Sequence, residues 1–100
     1  MVKHIVMWHL KNEANGNEME QNAAEMIQKL RGLKEKIPQI VELEAGRNIN
    51  QGSGAFDVAL YSSFKSKDDL EAYAKNPEHL KVVEFIKSVV DQRAVVDYEV

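Results

Sequence analysis

Two histidines and a tyrosine are the side chains of this 100-residue chain best suited to proton chemistry. Tyr73 and His79 stand on either side of Asn76-Pro77, and His4 stands near the start of the chain. An imidazole exchanges a proton near neutral pH, and a phenol donates a hydrogen bond without ionising. Such groups suit general acid–base work, a neutral imidazole as the base and the phenol as a hydrogen-bond donor. Each also has a plainer reading. His4, between Val2 and Val6, can be a buried histidine satisfied by one hydrogen bond. His79 can be a surface residue of a polar Asn-Pro-Glu-His turn, and Tyr73 a core tyrosine with its hydroxyl at the rim. His79 falls in the first turn after Pro77, where a helix N-terminus disfavours the imidazolium, so a neutral ring able to act as a base is expected.

The elements that must position these groups follow from residue periodicity. Val2 to Lys11 alternates and is rich in β-branched residues, so a strand is expected, with Val2, His4, Val6, Trp8 and Leu10 towards the helices. Asn12 to Asn17 is a polar turn. Glu18 to Lys36 is helical, with Met19, Ala23, Met26, Ile27, Leu30 and Leu33 on one stripe continuing to Ile37, and Pro38 stops it. The absent side chain of Gly32 is expected to permit a close approach to the sheet. A strand over Ile40 to Asn48 should turn Val41, Leu43 and Ala45 to one face, with Ile40 on the other. A third strand covers Phe56 to Phe64. Ser66 caps a short helix ending near Lys75, and Asn76 caps another with Pro77 at its first position. Val83 and Val90 belong to the apolar stripe of that last helix, and a strand over Arg93 to Val100 closes the chain. The order β-α-β-β-α-β, with the second helix broken at Asn76-Pro77, is the ferredoxin-like α+β plan of a four-stranded antiparallel sheet.

Length allows one domain, spanning residues 1–100. With 13 basic and 16 acidic residues the net charge is −3, and no basic stripe suits a nucleic acid or an anionic membrane. There is no cysteine, which excludes disulfides, thiol catalysis and thiolate zinc sites. The first apolar run is short and carries Lys3, His4 and His9, unlike a leader peptide, so a cytoplasmic location is expected. Gly52 and Gly54 do not form a phosphate loop, and the carboxylates Glu42, Glu44, Asp57 and Asp97 have no ligand spacing. No metal and no cofactor are expected. Ile5, Met7, Ala59, Tyr61 and Val95, with Ile40 at the edge, would make the sheet face away from the helices too apolar to stay bare. A second copy packed sheet to sheet is the expected cover, with His9 at that contact or at the surface.

Four segments, MVKHIV, KIPQIVELEAG, LEAYAKNPEHLKVVEFIKSVV and AVVDYEV, together resemble the stress-responsive A/B barrel (Dabb) domain family. The resemblance implies a dimeric α+β barrel with a cavity between sheet and helices in each protomer. It also implies roles for the polar trio, because some plant members are polyketide cyclases that use two histidines and a tyrosine in an aldol condensation. His4, Tyr73 and His79 match those positions. Such cyclases build their pockets with aromatic residues where Met26, Ile27, Leu30 and Val90 stand here, so a differently shaped cavity is expected. Its expected lining is Val6, Trp8, Met26, Ile27, Leu30, Val58, Leu60, Val83 and Val90. Two functions remain open on this reading. One is binding of a small apolar or aromatic molecule. The other is a cofactor-free cyclase or isomerase in which His79 is the base, assisted by His4 and Tyr73.

Overall fold

A computed structural model describes residues 1–100. The central strand is β1 (Val2–Leu10), whose even-numbered residues are all buried. It is followed by β2 (Glu13–Ala14), β3 (Asn17–Glu18), α1 (Met19–Lys36), β4 (Glu42–Arg47), β5 (Val58–Phe64), α2 (Lys67–Lys75), α3 (Pro77–Val89) and β6 (Val90–Glu99). The main sheet runs β4-β5-β1-β6 with every neighbouring pair antiparallel, as the ferredoxin-like plan requires. No helix is long and apolar enough to cross a membrane.

Asn12 to Asn17 does more than turn. Asn15 and Gly16 both take positive φ, 55° and 79°, which closes β2 on β3 as a minimal hairpin. The buried Asn22 of α1 ties that hairpin down, its amide donating to the carbonyls of Ala14 (3.0 Å) and Asn17 (3.4 Å). Met26, Leu30, Leu33 and Ile37 are fully buried, so the α1 stripe is the core face. Space around Gly32 is open: a side chain there would meet nothing within 4 Å, and the expected close approach to the sheet is absent.

Residues 37–40 correct the reading of the second half of the sheet. Ile40 is buried and Val41 is exposed, the reverse of a strand running through both. The Ile40 amide donates to the carbonyl of Ile37 at 3.2 Å, so a turn tucks both isoleucines into the core before β4 begins at Glu42. At the other end of the chain the register changes similarly. Val90 ends the helix by donating to the Ile86 carbonyl, and it is also the first residue of β6. A bulge follows: Leu10 pairs with Val90 but His9 pairs with Gln92. Beyond it Val95 lies opposite Val6 on the helix side, while Ala94, Val96 and Tyr98 lie opposite Met7, Ile5 and Lys3 on the outer side. The outer face therefore carries Val96 rather than Val95 or Ile40.

The broken helix forms as its local signals dictate. The Ser66 hydroxyl accepts from the Asp69 amide (3.1 Å), and the Asn76 side chain accepts from the Glu78 amide (2.8 Å). Pro77, with no amide proton to satisfy, stands at the first position of α3. The break turns α3 back over the sheet and leaves a cavity between them.

Candidate functional site

Three elements bring the polar trio together. His4 comes from the first half of β1, Tyr73 from α2, and His79 from the first turn of α3, five residues beyond the Ala74 carbonyl that its Nδ1 meets at 3.1 Å. Ring centroids are 6.0 Å apart for His4 and Tyr73 and 4.3 Å for Tyr73 and His79. Phe64 backs the group, 5.0 Å from the Tyr73 ring. All three line one cavity of about 400 Å³ between the sheet, α1 and α3. That volume lies within the roughly 300–1,000 Å³ of small-molecule sites.

Hydrogen bonds fix the tautomers. His4 Nδ1 is 2.5 Å from the Asp97 carboxylate on the neighbouring strand, so Nδ1–H donates and Nε2 is the nitrogen left for a ligand. His79 donates its Nδ1–H to the Ala74 carbonyl, which likewise frees Nε2. Burial lowers the His79 pKa below the ordinary histidine value; the Ala74 hydrogen bond opposes this, and the nearby His4 and the Arg93 guanidinium lower it further. Burial is the largest of these influences and favours the neutral imidazole. The Tyr73 phenol is pushed up to about 12 by burial, partly offset by Arg93, so it remains a donor at neutral pH.

Of the apolar residues expected to line the cavity, Val6, Trp8, Leu30, Leu60, Val83 and Val90 do so. Met26 and Val58 are instead buried in the core beneath it, and Ile27 packs against the edge of that core. Leu80, Val82 and Ile86 of α3 complete the apolar wall, and Lys87 and Arg93 add cations that the periodicity did not mark. A charged residue in an alternating strand ordinarily reads as solvent-facing. The Asp97 partner of His4 was equally hidden, being 93 residues away in the chain.

Other polar groups stay outside this cavity. His9, half-buried, meets Asp91 at 2.6 Å and lies 3.9 Å from Asp57. A wider cleft of about 610 Å³, lined by Val2, Leu70, Ala74 and Tyr98 among charged side chains, is open and holds none of the trio. No three histidine, aspartate or glutamate side chains cluster as metal ligands would.

Comparison with known proteins agrees with this architecture. The family model "Stress responsive A/B Barrel Domain" matches residues 2–100. The stress-response A/B barrel domain-containing protein DABB1 of Arabidopsis thaliana is 28% identical over 103 residues, covering 98% of this chain and 46% of its own length. The chain thus spans less than half the length of the curated relatives it matches. A dimeric protein of unknown function and ferredoxin-like fold from Bacteroides fragilis is 33% identical, with a TM-score of 0.85 over 99% of this chain and 95% of its own. The hydroxynitrile lyase of Passiflora edulis superposes with a TM-score of 0.82 over 97% of this chain and 90% of its own, at 20% identity, a likeness of fold alone. With the family model matched from end to end, the chain belongs to the stress-responsive A/B barrel domain family.

Proposed function

We propose that this chain is a homodimeric binding protein that takes a small apolar or aromatic molecule into the cavity of each protomer. The observation that carries the reading is the convergence of three polar side chains on a cavity that is otherwise mostly apolar. Hydrophobic walls supply affinity, and a few fixed hydrogen-bonding groups supply orientation. The dimer is supported by the outer sheet face, where Met7, Val96 and Tyr98 are each more than 40% exposed. The Bacteroides fragilis relative, described as dimeric, supports it as well. Trp8 is the one tryptophan and lines the cavity, so its fluorescence reports occupancy. Titration with octan-1-ol and with substituted benzenes should change that emission saturably and raise the melting temperature. A panel of such compounds that alters neither would remove the reading.

The tautomers favour a second reading, proton transfer next to a carbonyl. His79 Nε2 would take the proton and hand the same proton back to the product, Tyr73 would donate to the enolate oxygen as it forms, and His4 Nε2, oriented by Asp97, would accept a hydrogen bond from the substrate. A fold shared with a lyase does not assign a reaction. His79→Ala, His4→Ala and Tyr73→Phe, each compared with the parent on a turned-over carbonyl compound, test it. Unchanged turnover in all three contradicts it.

A further inference from the structure

We propose that the cavity ligand carries an acidic headgroup, a carboxylate, and that Arg93 receives it. This rests on the binding reading above and names the class of molecule bound. The cavity lining contains two cations, Arg93 and Lys87, and no aspartate or glutamate. Neither cation forms an ion pair elsewhere in the molecule. Asp97, on the same side of β6 as Arg93, is engaged with His4 instead. Lys87 has an ordinary role in the last turn of α3, where a cation suits the helix dipole. Arg93 has no such role. It projects from the helix side of β6 opposite Trp8, and its charge reaches both Tyr73 and His79.

A guanidinium beside an apolar wall is a receptor for a planar oxyanion. Its parallel N–H groups match a carboxylate in a paired, planar contact, and the guanidinium is exposed and free to make it. The acid would meet Arg93, with the Tyr73 hydroxyl and a histidine Nε2 within the same polar region. The apolar tail would lie among Leu30, Leu60, Val83 and Ile86. Lys87, exposed on α3, adds a second positive charge to the lining.

Three probes of one chain length test this: octanoate, octanamide and octan-1-ol, each titrated by calorimetry into the intact protein at low salt. Octanoate should bind about tenfold or more tightly than octanamide, the scale of a charged hydrogen bond. Arg93→Met should bring the two within about twofold, and Arg93→Lys should restore part of the preference. Equal binding of octanoate and octanamide to the parent protein would overturn the proposal, as would an octanoate preference that survives Arg93→Met. Binding of octan-1-ol alone would overturn the acidic headgroup and keep the binding reading. Binding of none of the three would remove both.

Discussion

His4 Nδ1 meets the carboxylate of Asp97 at 2.5 Å, directly across the β1–β6 ladder. The pair is set by strand register, because residues opposite one another in an antiparallel sheet project to the same face. It turns His4 from a buried histidine with one hydrogen bond into an oriented one. The donor nitrogen is committed, and the other is free for the cavity.

Removing the carboxylate should release that orientation. In long-range ¹⁵N–¹H spectra of the parent protein, His4 should show a protonated Nδ1. In Asp97→Ala the signature of a single preferred tautomer should be lost while the fold is retained. A His4 tautomer unchanged in that variant would mean that Asp97 does not hold the ring.

Two histidines should push stability in opposite directions with pH. Burial lowers the His79 pKa, so the unfolded chain binds a proton more readily. Its contribution is complete above about pH 6.5 and is lost as pH falls from there through the lowered folded value. The Asp91 hydrogen bond raises the His9 pKa, so its contribution is complete below about pH 6.5 and is lost as pH rises through the raised value. Urea melts from pH 5 to 8 should therefore flatten on the acid side for His79→Gln and on the neutral side for His9→Gln. A shared direction in both variants would contradict the assignment.

Tyr73 separates packing from chemistry. The ring is buried against Phe64 and the two histidines, but its hydroxyl has no hydrogen-bond partner within the protein. Tyr73→Phe should cost less than about 1 kcal/mol in chemical denaturation, whereas Tyr73→Ala should cost about 3–5 kcal/mol through the void it leaves. A large cost for the phenylalanine variant would place a structural role on the hydroxyl.

Adjacent valines of β6 test the dimer face. Val96 lies on the outer side with Ile5, and Val95 on the helix side with Val6, yet both are about half exposed. Val96→Asp should give an 11.4 kDa species in light scattering, and Val95→Asp should keep twice that mass. Equal behaviour would contradict a contact through the outer face.

The sequence makes the element order, the helix break and the polar trio legible, because capping residues and apolar periods are local signals. Ser66 and Asn76 announce their helices within three residues. What escapes is whatever depends on a bulge or a distant partner. The bulge at His9 and Leu10 offsets the faces of β6, so Val95 and Val96 exchange roles. The turn that buries Ile40 breaks the alternation that would otherwise expose it. Asp97 and Arg93 look like ordinary charged strand residues until β6 is laid beside β1. The lining role of Met26 and Val58 fails for a different reason. Both are apolar and inward, but Val58 borders a different hollow, with Met7 and Phe56, and Met26 is enclosed within the core.

The most direct measurement is a methyl-resolved NMR titration with octan-1-ol. Binding in the cavity should move the methyl signals of Leu30, Leu60, Val83 and Ile86 together, with one dissociation constant that Trp8 fluorescence reproduces. The signals of Ile5 and Val96 on the outer face should stay in place. Shifts confined to Ile5 and Val96, or no saturable shift at all, would contradict a ligand cavity between the sheet and the broken helix.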